Sequence, residues 1–367
     1  MKISIHNLKS GDQLIEDVYS HSGLHLLSAS TVLVSQDIQY LIKHEVDYVS
    51  IKWREVPQTE SNPILTQTAV MESVDQDASL IEISDHLSPF TVVSFHEAIV
   101  GVKDLFDRAA LNSQIDISVV NASFSPLMNN IKQEKDVVSL LLSLGSDDDY
   151  TFQHCVRVGI ISYFLAIWLN KSEQEAKFIG KAGFLLDIGK SKVDPQILTK
   201  PAKLTQEEFE EAKKHTTYGY EIIMNSMQDE DLAAAALQHH ERSDGSGYPE
   251  GRTADQIHPI AKIIAVADIY SAMISKRVYS DDRDLLYVLK ELNEMSFGKL
   301  DPTIVQTFIK NMLPNFINKK VILTNGQKGT IIMTNPTDFF RPLIKIDDKF
   351  VDMTKNRELE IQTVLMT

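Results

Sequence analysis

Cysteine is nearly missing from this chain: Cys155 is the single one in 367 residues. No disulfide can form within the chain, which fits a reducing compartment, so a cytoplasmic location is expected. Long apolar runs are missing too. No stretch reaches the roughly 20 residues of a membrane span, and the start, MKISIHNLKSGD, turns polar too soon for a signal peptide. Basic residues are in deficit, 36 Lys and Arg against 51 Asp and Glu, for a net charge of −15. That balance argues against a protein that coats duplex DNA or an anionic membrane. It leaves room for a small anionic ligand held by a few local cations or a metal ion. Internal repeats and low-complexity tracts are likewise absent. What is present is an ordinary composition, 43% hydrophobic and 24% charged, in a chain long enough for two or three domains and a substantial core.

The patterning predicts a mainly α protein. Residues 1–52 read as a small α+β module: MKISI alternates, HLLSASTVLV has the pattern of a hairpin arm, DIQYLIKHEV has helical spacing, and DYVSI is a further short strand. Residues 53–135 read as a polar, acidic linker to about residue 90 followed by two connecting helices, FHEAIVGVKDLFDRAAL and ISVVNASFSPLMNNIKQEK. From 136 to 315 helical periodicity dominates, so an all-helical domain is expected. Residues 316–367 change period: two β-rich runs flank Asn325-Gly326, a strong hairpin signal, and PLIKID and KFVDM extend the β-rich segment.

The central helices place metal-type side chains on faces that should be buried. His154 aligns with Val158, Ile161 and Leu165, and Asp268 lies on the stripe of Ala261, Ile264, Ala265 and Ala272. His215 shares a register with Ala212, Gly219 and Ile222, His239 and His240 end an alanine-rich helix, and Asp187 ends the apolar run KAGFLLD. A lone buried histidine is more often a hydrogen-bonded core residue than a ligand, and Asp268 read alone could anchor a helix to a backbone amide. Four histidines and two aspartates from five segments are harder to read that way. Imidazole and carboxylate together form the mixed N/O set that suits Fe, Mn or Zn. Directly after the histidine pair, ERSDGSGYPEG is a turn-forming string whose glycines let the backbone approach a ligand closely.

Two other chemistries fail on spacing. Gly189-Lys190-Ser191 resembles the end of a nucleotide-binding P-loop, but the required first glycine falls at Phe184 and the run follows a helix. A nucleophile built on Cys155 and His154 is poorly placed, since neighbouring helix residues point about 100° apart. A module that only docks proteins is the serious rival, and the segments outside 136–315 are ample for it.

With HHERSDGSGYP in view, the chain resembles the HD-GYP family of metal-dependent phosphohydrolases. The resemblance extends through YTFQHCVRVG, AGFLLDIGK, ILTKPAKLTQEEFEEAKKH, VADIYSAM and LDP, roughly residues 140–315. It implies an all-helical domain with a multi-metal centre that hydrolyses cyclic di-GMP or a related cyclic dinucleotide. Carried over by position, His154 and Asp268 bind a first metal, Asp187 bridges, and His215, His239 and His240 complete a second. Lys190 contacts the scissile phosphate, Gly247, Tyr248 and Pro249 shape the substrate pocket, and Arg277 meets a phosphate. The implied cofactor is a divalent metal, Fe or Mn, as one or two ions. The implied partners are the cyclic dinucleotide and diguanylate cyclase domains; a homodimer is one arrangement the extra segments could support. Four positions depart from the family pattern. Leu186 stands where the family has a metal-binding histidine, which implies weakened hydrolysis or a receptor that binds without cleaving. Tyr150 stands where three-metal members carry glutamate, and Ser271 and Val278 replace an aspartate and a proline.

Overall fold

The computed structural model describes residues 88–132, 140–141, 150–277 and 285–365, together with 2–4, 13–15, 18–19, 25–28, 30–33, 41, 46 and 48–52. These fall into two compact units, one within Met1–Gln76 and one within Asp77–Thr367. The polar stretch 53–87, most of DVVSLLLSL and of DIQYLIKHEV, Val278 and the Arg277 side chain lie outside the described residues.

In the first unit MKISI and DYVSI find each other. Strand β1 (Lys2–Ser4) pairs antiparallel with β4 (Tyr48–Ser50), Ile3 opposite Val49. The segment HLLSASTVLV opens as β3 (His25–Leu27), which lies antiparallel against the preceding β2 (Val18–Tyr19) as a hairpin arm would, and Val32 bridges Gln13. This pairing brings Leu26 and Leu33 into the small core of Leu14, Val18, Leu41, Val46, Val49 and Ile51.

The second unit is mainly α. Helix α1 (Pro89–Asn112) begins earlier than the apolar spacing from Phe95 predicts, inside the stretch read as linker. The reason is local: the Ser88 hydroxyl accepts from Phe90 N at 3.3 Å and Pro89 opens the helix, where its missing N–H costs nothing. Helix α2 (Ile117–Ile131) is capped by Asp116 and runs through Pro126, burying Val120, Phe124, Leu127, Met128 and Ile131. Helices α3 (Tyr150–Trp168) and α4 (Glu173–Leu185) pack closely side by side, α4 opening with a reciprocal Ser172–Glu175 capping box. A short 3-10 turn, Ile188–Lys192, and α5 (Pro195–Leu198) lead to α6 (Gln206–Lys213) and α7 (His215–Met227). The single helical run expected over TQEEFEEAKKHTTYGYEIIM is interrupted at Lys214, so His215 opens α7. Then follow α8 (Glu230–Gln238), α9 (Pro259–Arg277), α10 (Leu285–Met295) and α11 (Pro302–Met312).

The C-terminal region is more than a hairpin. Strands β5 (Lys320–Leu323) and β6 (Lys328–Met333) form the expected hairpin around Asn325-Gly326, and β7 (Leu343–Ile346), β8 (Lys349–Asp352) and β9 (Ile361–Leu365) extend it. All pair antiparallel in the order β8-β7-β6-β5-β9. Val321, Ile331, Ile344 and Val364 alternate inward and share one hydrophobic core with the helices, back to Phe95.

Candidate metal centre

The apolar stripe of α4 ends at Leu185, and the chain turns through Leu186 and Asp187 into the 3-10 turn. Lys190 N closes that turn on Asp187 O at 2.9 Å. Gly189 lets the turn press directly on α7: a Cβ there would overlap the His215 carbonyl oxygen and Gly219 N. This contact brings Asp187 beside His215. Asp187 is 1% exposed, with Lys190 Nζ donating to its Oδ2 at 2.6 Å. Burial opposes the charge on Asp187, but the Lys190 ammonium beside it leads the opposing effects, and the carboxyl stands well below the usual range.

The other Asp187 oxygen defines the site. Oδ1 lies 3.5 Å from His215 Nε2 and 3.8 Å from His239 Nε2, and those two nitrogens are 3.4 Å apart. The opposite ring nitrogens are already committed, His215 Nδ1–H donating to Ala212 O at 2.7 Å and His239 Nδ1–H to Ala236 O at 2.8 Å. A carbonyl only accepts, so the proton of each neutral ring sits on Nδ1 and each Nε2 presents a lone pair. Burial keeps the rings neutral, lowering His215 to about 4 and pushing His239 down as well. Three acceptor atoms thus converge without a donor between them, and among the described residues Oδ1 has no hydrogen-bond partner. Such a set is costly unless a cation completes it. The donor set fits a divalent ion, and His240 offers a third imidazole within 4.8 Å of the other two.

The second group of residues is arranged differently. His154 Nε2 lies 2.9 Å from Asp268 Oδ1, and Ser271 Oγ is 3.0 Å from His154 Nδ1, so both ring nitrogens have partners. Asp268 Oδ2 is 3.8 Å from His240 Nδ1, which joins this group to the first. Burial again opposes ionisation of Asp268, and the His154 hydrogen bond and charge overcome it. Tyr150, 44% exposed, stacks over His154 with ring centroids 6.1 Å apart. Leu186, at the place of the implied family histidine, is completely buried among apolar side chains.

The loop after the histidine pair folds back on it. A Cβ on Gly247 would overlap the backbone of His240, Glu241 and Arg242, which is why the string needs glycine there. Tyr248 N donates to His240 O at 3.2 Å, and the buried Glu241 carboxylate accepts from Glu250 N at 2.8 Å and Arg252 N at 2.9 Å. The centre of the Tyr248 ring lies 4.7 Å from that of His240, with the Phe209 ring and the Lys213 ammonium also beside it.

His154, Asp187, Lys190, His215, His239, His240, Asp268 and Tyr248 therefore form one cluster, each joined to another at 4.7 Å or less. Gly247 lies beneath it and Pro249 is exposed at its rim. The structure adds two residues that sequence reasoning passed over. Glu241 holds the loop, and its position directly after His239-His240 was the available signal. Ser271 holds the His154 ring, although the sequence marked it only as a departure from the family.

Residues 152–304 match the family model described as HD domain. A cyclic di-GMP phosphodiesterase of Pseudomonas aeruginosa, PA4108, is 29% identical over 67% of this chain and 59% of its own length. A cyclic di-GMP phosphodiesterase of Thermotoga maritima is 39% identical over 48% of each chain. The 3'3'-cGAMP-specific phosphodiesterase 3 of Vibrio cholerae is 33% identical over 45% of this chain and 36% of its own. The chain thus spans about half to three-fifths of the first two relatives. The helical region with its buried histidine–aspartate cluster is thus similar to the HD domain and to the phosphodiesterases matched over that region.

Proposed function

We propose that the protein is a metal-dependent phosphodiesterase acting on cyclic di-GMP or a related cyclic dinucleotide, with activity weakened by Leu186. The observation that carries this reading is the donor-free convergence of Asp187 Oδ1, His215 Nε2 and His239 Nε2 next to the Lys190 ammonium. Relatives named for cyclic di-GMP and for 3'3'-cGAMP support the substrate class, and leave both dinucleotides to be tried. Asp187, His215, His239 and His240 would hold the ion, with Asp268 and His154 adjoining; the resemblance favours Fe or Mn. A divalent ion there supplies Lewis acidity and neutralises phosphate charge. The protein's own groups do the rest. Asp187 keeps Lys190 cationic despite burial, and takes one of its three N–H donors, so the others can meet a phosphate oxygen. Tyr248 and the folded-back loop wall off the His240 side of the site. Arg277 is assigned to a phosphate by position alone. Diguanylate cyclase domains and a second copy of the chain are partners that the resemblance offers, and the exposed loop around Pro249 is the surface nearest the site.

The second reading, a receptor that binds without cleaving, is favoured by Leu186, which carries no donor atom where the family places an imidazole. Loss of a ligand should cost at least the ~10–100-fold typical of losing a group that merely orients one. The test is anaerobic turnover of cyclic di-GMP and of 3'3'-cGAMP with added Fe(II) or Mn(II), comparing the native chain with Leu186→His. Slow native turnover supports the phosphodiesterase. Tight binding with no turnover supports the receptor. Neither binding nor turnover of either dinucleotide defeats both.

A further inference from the structure

The two halves of the cluster differ in a way that metal ligation alone does not require. Beside Asp187 the ring protons sit on Nδ1 and the Nε2 lone pairs face each other and an orphaned carboxylate oxygen. Around His154 the opposite holds. The Asp268 carboxylate can only accept, so at 2.9 Å the His154 Nε2 carries the proton and donates to it. Ser271 Oγ, fully buried, completes the ring at Nδ1 over 3.0 Å. A hydroxyl can donate or accept, so it suits the neutral ring, and it would suit the charged ring equally. In both cases it is the Asp268 carboxylate that keeps the hydrogen on Nε2, which then has no lone pair for a metal. A carboxylate at 271 would act differently. It would demand a proton on Nδ1 and release the Nε2 lone pair of the neutral ring. Asp268 and Leu186 thus act together: one ties up His154 Nε2, while Ser271 accommodates the far nitrogen, and the other fills with hydrocarbon the place where a further ligand would stand.

We infer that this chain holds one divalent ion, on Asp187, His215 and His239 with His240 beside them, and that Ser271–His154–Asp268 is a hydrogen-bonded strut standing in for a second ion. The strut supports the site by fixing Asp268 within 3.8 Å of His240 Nδ1. His154 and Ser271 are then positioning residues. The inference rests on the metal reading above, but not on the substrate.

The test is metal content per chain. Full-length protein is loaded anaerobically with excess Mn(II) or Fe(II), desalted and measured by elemental analysis. One equivalent is expected for the native chain and for His154→Asn, none for His239→Ala, and two for Leu186→His combined with Ser271→Asp. Two equivalents in the native chain, none in it, or loss of the ion in a folded His154→Asn overturns the inference. Because a variant could fail to fold, the native protein supplies an independent readout. In Zn(II)-loaded, 15N-labelled protein, the His154 ring should keep a proton on Nε2, and a deprotonated, metal-bound Nε2 contradicts the strut. Substrate assays separate this from the proposed function. One equivalent with no action on cyclic dinucleotides defeats the phosphodiesterase and leaves the one-ion centre, whereas two equivalents with turnover does the reverse.

Discussion

Asp187 and Asp268 are two buried aspartates a few ångströms from the same histidine pair, yet their surroundings have opposite logic. Asp187 is met by a lysine on one oxygen and by two nitrogen lone pairs on the other. Asp268 is met by a histidine N–H that a serine backs from behind. The difference teaches that burial of a carboxylate beside histidines does not by itself identify a metal ligand. The tautomer decides, and it is set by the ring's partner that can only accept. For His215 and His239 that partner is a backbone carbonyl of their own helical turn, which only accepts. For His154 it is the Asp268 carboxylate itself, while the Ser271 hydroxyl on the far nitrogen can donate or accept.

The comparison can be broken most severely at its metal-facing half. Asp187→Asn removes the only anion among the three converging atoms, and metal affinity should fall by more than about 100-fold, measured by competition with a fluorescent chelator. Affinity within a few-fold of native would mean that the ion sits elsewhere. The other half is sharpened by Leu186→Ala. Leu186 is fully buried, so truncation should cost about 2–5 kcal/mol of stability in denaturant titration while the metal content stays as it was. A variant as stable as native but poorer in metal would show that Leu186 shapes the ligand set rather than filling a core.

Acid should separate the halves with a smaller effect. Burial lowers His215 from 6.5 in the unfolded chain to about 4 in the folded one. Between those values the unfolded state binds the extra proton, so metal-free stability should decline as pH falls from about 6.5 toward about 4. The depressed Asp187 carboxyl contributes its part above the unfolded carboxylate value and loses it at lower pH. Bound metal should be released over the higher window as protons compete for the imidazoles. Melting temperatures of apo and loaded protein against pH give both curves. Two flat curves down to pH 4 would contradict the buried neutral rings.

Much of this site is visible in the sequence because its polar residues interrupt apolar stripes of strong helical period. His154, Asp268, His215 and the His239-His240 pair stand out for that reason, and the glycines of DGSGYP mark a loop that must fold tightly. The Asn325-Gly326 hairpin is legible on turn chemistry. Other features need distances that no local pattern carries. Ser271 and His154 are 117 residues apart, and serine on a helix face reads as neutral until its neighbour is known. Which nitrogen of each ring points inward depends on Ala212, Ala236 and Asp268, and the last of these comes from another helix. Strand β9, IQTVL, is short and follows a polar turn, so its pairing with β5 emerges only when the sheet is assembled. The early start of α1 rests on Ser88 and Pro89, a cap set in a polar stretch that has no apolar period of its own.

The central claim is that the paired acceptors at Asp187, and not the satisfied pair at His154, hold the metal. Crystals of the loaded protein, with diffraction collected on both sides of the metal's absorption edge, test it directly. The account predicts a single anomalous peak within bonding distance of Asp187 Oδ1, His215 Nε2 and His239 Nε2, with the hydrogen bond from His154 to Asp268 intact. A peak of comparable height bonded to His154, or no peak at the Asp187 group, would contradict it.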